Sequence, residues 1–82
     1  MDYQIEFKPR AAKDLKGLSP EIARRVIDKI AGLEHDLSGD VKHLTNFTPE
    51  YRLRVGEYRV LFEVDGAWVV IYRVVHRKEA YR

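Results

Sequence analysis

The sequence contains no cysteine. That excludes a disulfide framework, a thiol nucleophile and a cysteine-ligated zinc site, and it is compatible with a reducing compartment. No apolar run approaches the ~18 residues of a membrane span, and the opening MDYQIEFKPR lacks the long apolar segment of a secretory signal. A cytoplasmic protein without a membrane partner is the expectation. Large net charge is missing too, since 15 lysines and arginines against 13 acids leave +2. Internal repeats and low-complexity segments are absent. No set of His, Asp and Glu stands at metal-ligand spacing, so neither metal nor cofactor is expected. What is present is one domain, residues 1–82, with 45% hydrophobic and 34% charged residues in regular patterns. A domain of this length buries only about 60% of its unfolded surface.

The stretch that organises the chain is Tyr51 to Phe62, YRLRVGEYRVLF. Apolar residues alternate with arginines on both sides of Gly56-Glu57, and glycine at the first central position suits a two-residue type II′ turn. If Val55 and Tyr58 close the hairpin, Arg54 faces Arg59, Leu53 faces Val60 and Arg52 faces Leu61. Three arginines then share one face. Like charges directly opposite in a sheet are destabilising, so the pattern implies an expected anion. Arginines on an open sheet face also keep it soluble and discourage edge pairing, and Glu57 and Glu63 are near enough in sequence to pair with them.

Before the hairpin, Tyr3, Ile5 and Phe7 alternate with polar residues as a half-buried strand does. Ala11, Ala12 and Leu15 have helical spacing, and Gly17 is placed to stop that helix in the left-handed conformation. Ser19-Pro20-Glu21 reads as N-cap, first helical residue and dipole-matched acid. Ile22, Val26, Ile30 and Leu33, with Ile27 beside them, extend this second helix to about His35. Val41 to Leu44 reads as a linking segment, and Leu44 and Phe47 as core anchors. Asp65-Gly66 signals a type I′ turn before a strand, Val69 to Val75, that is apolar except for Arg73 and therefore central. The predicted fold is α+β, β-α-α-β-β-β, an antiparallel sheet of about four strands with both helices on one face.

Charge is distributed unevenly. From Tyr51 onward there are six arginines and Lys78 against Glu57, Glu63, Asp65 and Glu79, interleaved with aromatic rings. That mixture suits a polyanion, nucleic acid first. A second basic cluster, His76-Arg77-Lys78 with Tyr81 and Arg82, closes the chain. The cations on the outer face of the second helix, Arg24, Arg25 and Lys29, have no aromatic company and read as a solvated face.

The whole chain resembles the RelE/ParE superfamily of bacterial toxin–antitoxin toxins. The resemblance is carried by the A-x-x-D-L helix (Ala11 to Leu15), Lys42-His43-Leu44, the Y-R-x-R-V-G-x-Y-R block from Tyr51 and the terminal H-R-x-x-x-Y from His76. RelE-like members are ribosome-dependent endoribonucleases that cut mRNA in the decoding site. ParE-like members inhibit DNA gyrase and cut no RNA. Both are neutralised by a cognate antitoxin. The RelE pattern implies basic groups at Arg52 and Arg54, arginines at Arg59 and Arg77, and a tyrosine at Tyr81; the best-known RelE members carry lysines at the first two places.

Metal-independent RNA cleavage needs a base for the 2′-OH, charge stabilisation at the phosphate and an acid for the leaving 5′-oxygen. Arg54 and Arg59 are permanently charged forks that match phosphate oxygens. Tyr81, with Arg77, Lys78 and Arg82 to favour its phenolate, is the candidate base, and His76, as the side-chain type that exchanges protons near neutral pH, is a candidate acid. Arg77 adds charge. Lys42, Arg52, Lys78 and Arg82 are the further RNA-binding candidates. Strict alternation back from Asp65-Gly66 puts His76 on the side of Arg59 and Arg77 on the other, so either a bulge re-aims Arg77 or His76 faces the cleft. The leading function is a RelE-like mRNA interferase, with a ParE-like gyrase inhibitor as the alternative. A plain RNA-binding module has no recognition motif to support it.

Overall fold

The computed structural model describes residues 2–37 and 39–80. Its elements run β1 (Gln4–Phe7), α1 (Pro9–Lys16), α2 (Pro20–Gly32), β2 (Val41–His43), β3 (Tyr51–Val55), β4 (Tyr58–Asp65) and β5 (Trp68–His76). Ser19 starts α2 as its residue type dictates: its backbone is extended and its Oγ accepts from the Ile22 N–H at 3.4 Å, with Pro20 in the first turn. The helix ends at Gly32, short of His35. Leu33, Glu34 and His35 each donate their N–H to the carbonyl three residues back, the tightened closure common at helix ends. Gly17 closes α1 with φ −83°, in the right-handed and not the left-handed region, its N–H donating to the carbonyls of Lys13 and Asp14.

The sheet has five strands in the order β1-β5-β4-β3-β2. It is mixed, because β1 runs parallel to β5 while the other pairs are antiparallel. The strand beyond the expected four is β2, which pairs with β3 through Val41 opposite Leu53, Lys42 opposite Arg52 and His43 opposite Tyr51. Three residues, two of them polar, carry too little periodicity to announce a strand. The loop that follows contains a cis Thr48–Pro49 bond. As expected, β5 is internal to the sheet.

Both helices cover one face. Ala11 of α1 and Val26 and Ile30 of α2, together with Leu33 just beyond it, form one cluster with Leu53, Val55, Val60, Phe62, Val69, Ile71 and Val74 of the sheet. The Phe62 ring is fully buried and stacks on Tyr51 with centroids 5.4 Å apart. Ile27 is 47% exposed, being rotated about 100° from Val26 and so away from the sheet. Leu44 and Phe47 are half-buried and lie outside the cluster, in the loop at the β2 edge. Among the described residues, no helix is long and apolar enough to cross a membrane.

Both hairpins turn on a glycine. Gly56 has φ +56°, and Val55 faces Tyr58, so the first turn keeps the register read from the sequence. In the second, Asp65 faces Trp68 and Gly66 carries φ +58°, which moves the turn one residue on, to Gly66-Ala67. Glycine at the first of two central positions is the type II′ requirement, so the second hairpin repeats the first instead of using a type I′ Asp-Gly turn.

Candidate nucleic-acid interface

Leu53 and Val55 point into the core, so the residues between and beside them point away from the helices. Arg54 therefore stands directly opposite Arg59, and Lys42, Arg52, Leu61 and Arg73 form the adjacent row across β2, β3, β4 and β5. Leu61 is only 5% exposed although no helix covers that side. Its neighbours in the row are Arg52 and Arg73, whose aliphatic stems are suited to cover it. The basic face of the sheet is thus a consequence of alternation alone along β3 and β4.

In β5 alternation is broken. Phe62 faces Ile71 while Leu61 faces Arg73, leaving Tyr72 as the extra residue of a β-bulge. The physical reason lies two residues on. Without the bulge Arg73 would continue the inward series of Val69 and Ile71 and sit beneath the helices; with it, Val74 fills the core and Arg73 turns out to Asp14 of α1. Asp14 accepts from Arg73 Nε at 2.8 Å and from the Val74 N–H at 2.9 Å, capping a backbone donor of β5 beyond the end of β1. Arg10 approaches the same carboxylate at 3.6 Å.

The bulge also decides between the two arrangements left open by the sequence. Arg59 faces Val75 and Tyr58 faces His76, and the Arg77 N–H extends the ladder by donating to the Glu57 carbonyl at 2.8 Å. Arg77 thus falls in the Arg59 series, and His76 falls on the other side. The His76 ring meets Tyr58 edge-on with centroids 5.5 Å apart, and its Nδ1 accepts from the Lys78 N–H at 3.2 Å. The expectation that His76 shares the side of Arg59 is corrected by one inserted residue. Lys42 and Lys78 are exposed. Tyr81 and Arg82 lie outside the described residues.

Each described arginine of the basic face has an internal acceptor. Arg54 Nη2 donates to Asp40 Oδ1 at 3.2 Å, and Arg52 Nη1 donates to the Asp40 carbonyl at 3.0 Å. Arg59 Nη1 donates to the carbonyls of Gly56 and Tyr58 at 3.0 and 2.9 Å, and Arg77 Nε lies 2.9 Å from Glu57 Oε2. The Arg54 and Arg77 side chains are both 56% exposed. Exposed ion pairs contribute about 0–1 kcal/mol, so neither carboxylate holds its arginine strongly. The hydrogen bond from Arg54 is the main cause holding the Asp40 carboxyl below its ordinary value, with the charges of Arg54 and Lys29 acting in the same direction. Among the described residues, no group of three His, Asp or Glu side chains is placed to hold a metal.

Residues 5–81 match the family model of the ParE toxin of the type II toxin–antitoxin system parDE. The chain belongs to the RelE/ParE toxin superfamily. Toxin RelE3 of Methanocaldococcus jannaschii is 34% identical over 95% of this toxin and 94% of its own length, and putative toxin RelE1 of the same organism is 30% identical over 100% and 98%. Among solved structures, the RelB–RelE antitoxin–toxin complex of Methanococcus jannaschii matches with a TM-score of 0.74 at 32% identity, covering 89% of this toxin and 91% of that chain. The toxin–antitoxin complex RelBE2 of Mycobacterium tuberculosis matches with 0.80 at 30%, covering 94% and 100%.

Two residues of the toxin's basic face were not legible as site residues. Asp40 reads as loop because it is flanked by turn formers, and its role as acceptor for Arg52 and Arg54 depends on β2 bringing it beside β3. Asp14 reads as one more exposed helix charge. Its position in A-x-x-D-L, one residue before the half-buried Leu15, was the available signal.

Proposed function

We propose that this toxin is an endoribonuclease that cuts mRNA on the translating ribosome and is silenced by a cognate antitoxin. The observation that carries the reading is the direct apposition of Arg54 and Arg59 on the sheet face left bare by the helices, flanked by Lys42, Arg52 and the outward series of Arg77. Repulsion between facing guanidiniums disfavours that pairing, and a bound phosphate reverses its sign. The relatives named RelE and the solved RelB–RelE complexes support the same assignment.

In this reading Arg54 and Arg59 hold the scissile phosphate and take up charge as it becomes pentacovalent. The 2′-oxygen loses its proton to the phenolate form of Tyr81 and forms a bond to phosphorus, while the bond from phosphorus to the 5′-oxygen breaks. Arg77 donates a hydrogen bond to the departing 5′-oxygen, and solvent completes its protonation. A 2′,3′-cyclic phosphate and a 5′-hydroxyl result. His76, on the Tyr58 side of β5, holds the strand end and takes no part in proton transfer. Lys42, Arg52, Lys78 and Arg82 bind the flanking backbone, and their contribution falls with salt.

The second reading, a ParE-like inhibitor of gyrase, is favoured by the family model that matches the chain. One experiment separates the two. Primer extension on an abundant transcript after induction of the toxin is expected to show cuts within translated regions, and Arg59→Ala is expected to lower cutting about 10²–10³-fold, the usual loss for one oxyanion-type donor. Intact mRNA accompanied by trapped gyrase would replace the first reading with the second.

A further inference from the structure

Asp40 lies where the chain returns from α2 to the sheet, and it collects cations from two elements. Its carbonyl accepts from Arg52 Nη1 at 3.0 Å and from the Arg54 N–H at 3.1 Å. Its carboxylate accepts from Arg54 Nη2 at 3.2 Å through one oxygen and lies 3.6 Å from Lys29 Nζ through the other. The carboxyl is held below its ordinary value, chiefly by the Arg54 hydrogen bond, so it carries its charge at neutral pH. The side chain is nonetheless 37% exposed, and it borders a cavity of about 250 Å³ lined also by Lys29, Gly32, Leu33, Asp36, Gly39 and Leu53.

We propose that Asp40 is the resident counter-ion of the basic face, occupying the anion position on Arg54 until an RNA phosphate displaces it. The inference rests on the reading of this face as an RNA surface. A carboxylate and a phosphate offer a guanidinium the same pair of acceptor oxygens, and Arg54 faces Arg59, so one anion or the other is needed there. The anchoring through the Asp40 carbonyl survives displacement, because it uses the backbone. The carboxylate has adjacent space to swing into, and Gly39 before it already carries φ +78°. A tethered competitor of this kind weakens binding of every RNA by the same factor.

The test is the anisotropy of a short fluorescein-labelled single-stranded RNA at fixed ionic strength, with native toxin, Asp40→Asn, Asp40→Glu and Asp28→Asn. A unit charge about 4 Å from its partner in water corresponds to roughly five-fold in affinity. Asp40→Asn is therefore expected to bind about five-fold more tightly, Asp40→Glu like the native toxin, and Asp28→Asn, which makes the same change in net charge on α2, less than about two-fold more tightly. Equal or weaker binding by Asp40→Asn overturns the proposal, as does equal tightening by Asp28→Asn, which would make net charge the cause. Absence of RNA binding by all four overturns it as well. Tightened binding by Asp40→Asn from a toxin that cuts no transcript would keep the counter-ion and remove the nuclease, while cutting with unchanged affinity would do the reverse.

Discussion

Replacing Asp14 by alanine tests whether the bulge in β5 is held from outside the sheet. The carboxylate is 13% exposed and accepts from Arg73 Nε at 2.8 Å, from Arg73 Nη2 at 3.4 Å and from the Val74 N–H at 2.9 Å. Hydrogen bonds to charged groups contribute about 1.5–3 kcal/mol each and are not additive, and an orphaned backbone N–H costs about 1–3 kcal/mol. The expected loss is therefore about 2–4 kcal/mol, against a total of roughly 4–12 kcal/mol for a domain of this length. At about 4–8 °C per kcal/mol the thermal midpoint should fall by ~8–32 °C. Urea titration followed by circular dichroism measures it directly. Asp14→Asn keeps one oxygen for the Val74 N–H and loses the charge, so it should fall about midway. A change below about 0.5 kcal/mol for the alanine variant, the range of ordinary surface substitutions, would refute the role given to this side chain.

Other expectations follow from particular contacts. Gly56→Ala places a Cβ at φ +56° and 3.4 Å from Arg25 Nη2; the strained backbone should cost about 1 kcal/mol in the same titration, and no loss would place the turn in another conformation. Ser19→Ala removes a cap whose hydrogen bond is long at 3.4 Å, so a loss near 0.5 kcal/mol, the lower end of the capping range, is expected by thermal melting. Because the folded Asp40 carboxyl lies below its unfolded value, the unfolded chain binds the extra proton as pH falls; the contribution is present above about pH 4 and is lost as pH drops through the folded value. Asp40→Asn should flatten that acid limb of the stability profile, and an unaltered limb would show that other carboxylates set it.

The hairpin register and the start of α2 were legible because each is settled within a few residues. Arginine and apolar positions alternate on both sides of Gly56-Glu57, and Ser19-Pro20 leaves few options for the preceding loop. The far end of the sheet was not, because Val69, Val70, Ile71, Val74 and Val75 are apolar at both parities and alternation there carries no information. What sets the register is Asp14, far away in sequence, together with the cost of placing Arg73 under the helices. Hence the arginines of β3 and β4 fell on the expected face, whereas the sides taken by His76 and Arg77 depended on a contact that no local pattern encodes.

The parallel alliance of β1 with β5 sets an order of assembly. Gln4 and Phe7 are made well before their partners, Trp68 and Ile71, each of which stands 64 positions further along the chain. The β1 strand must wait, unpaired, until β5 has been made, and such distant closure is slow. A chain interrupted before β5 therefore lacks the neighbour of both β1 and β4, and the sheet that displays the guanidiniums is left incomplete.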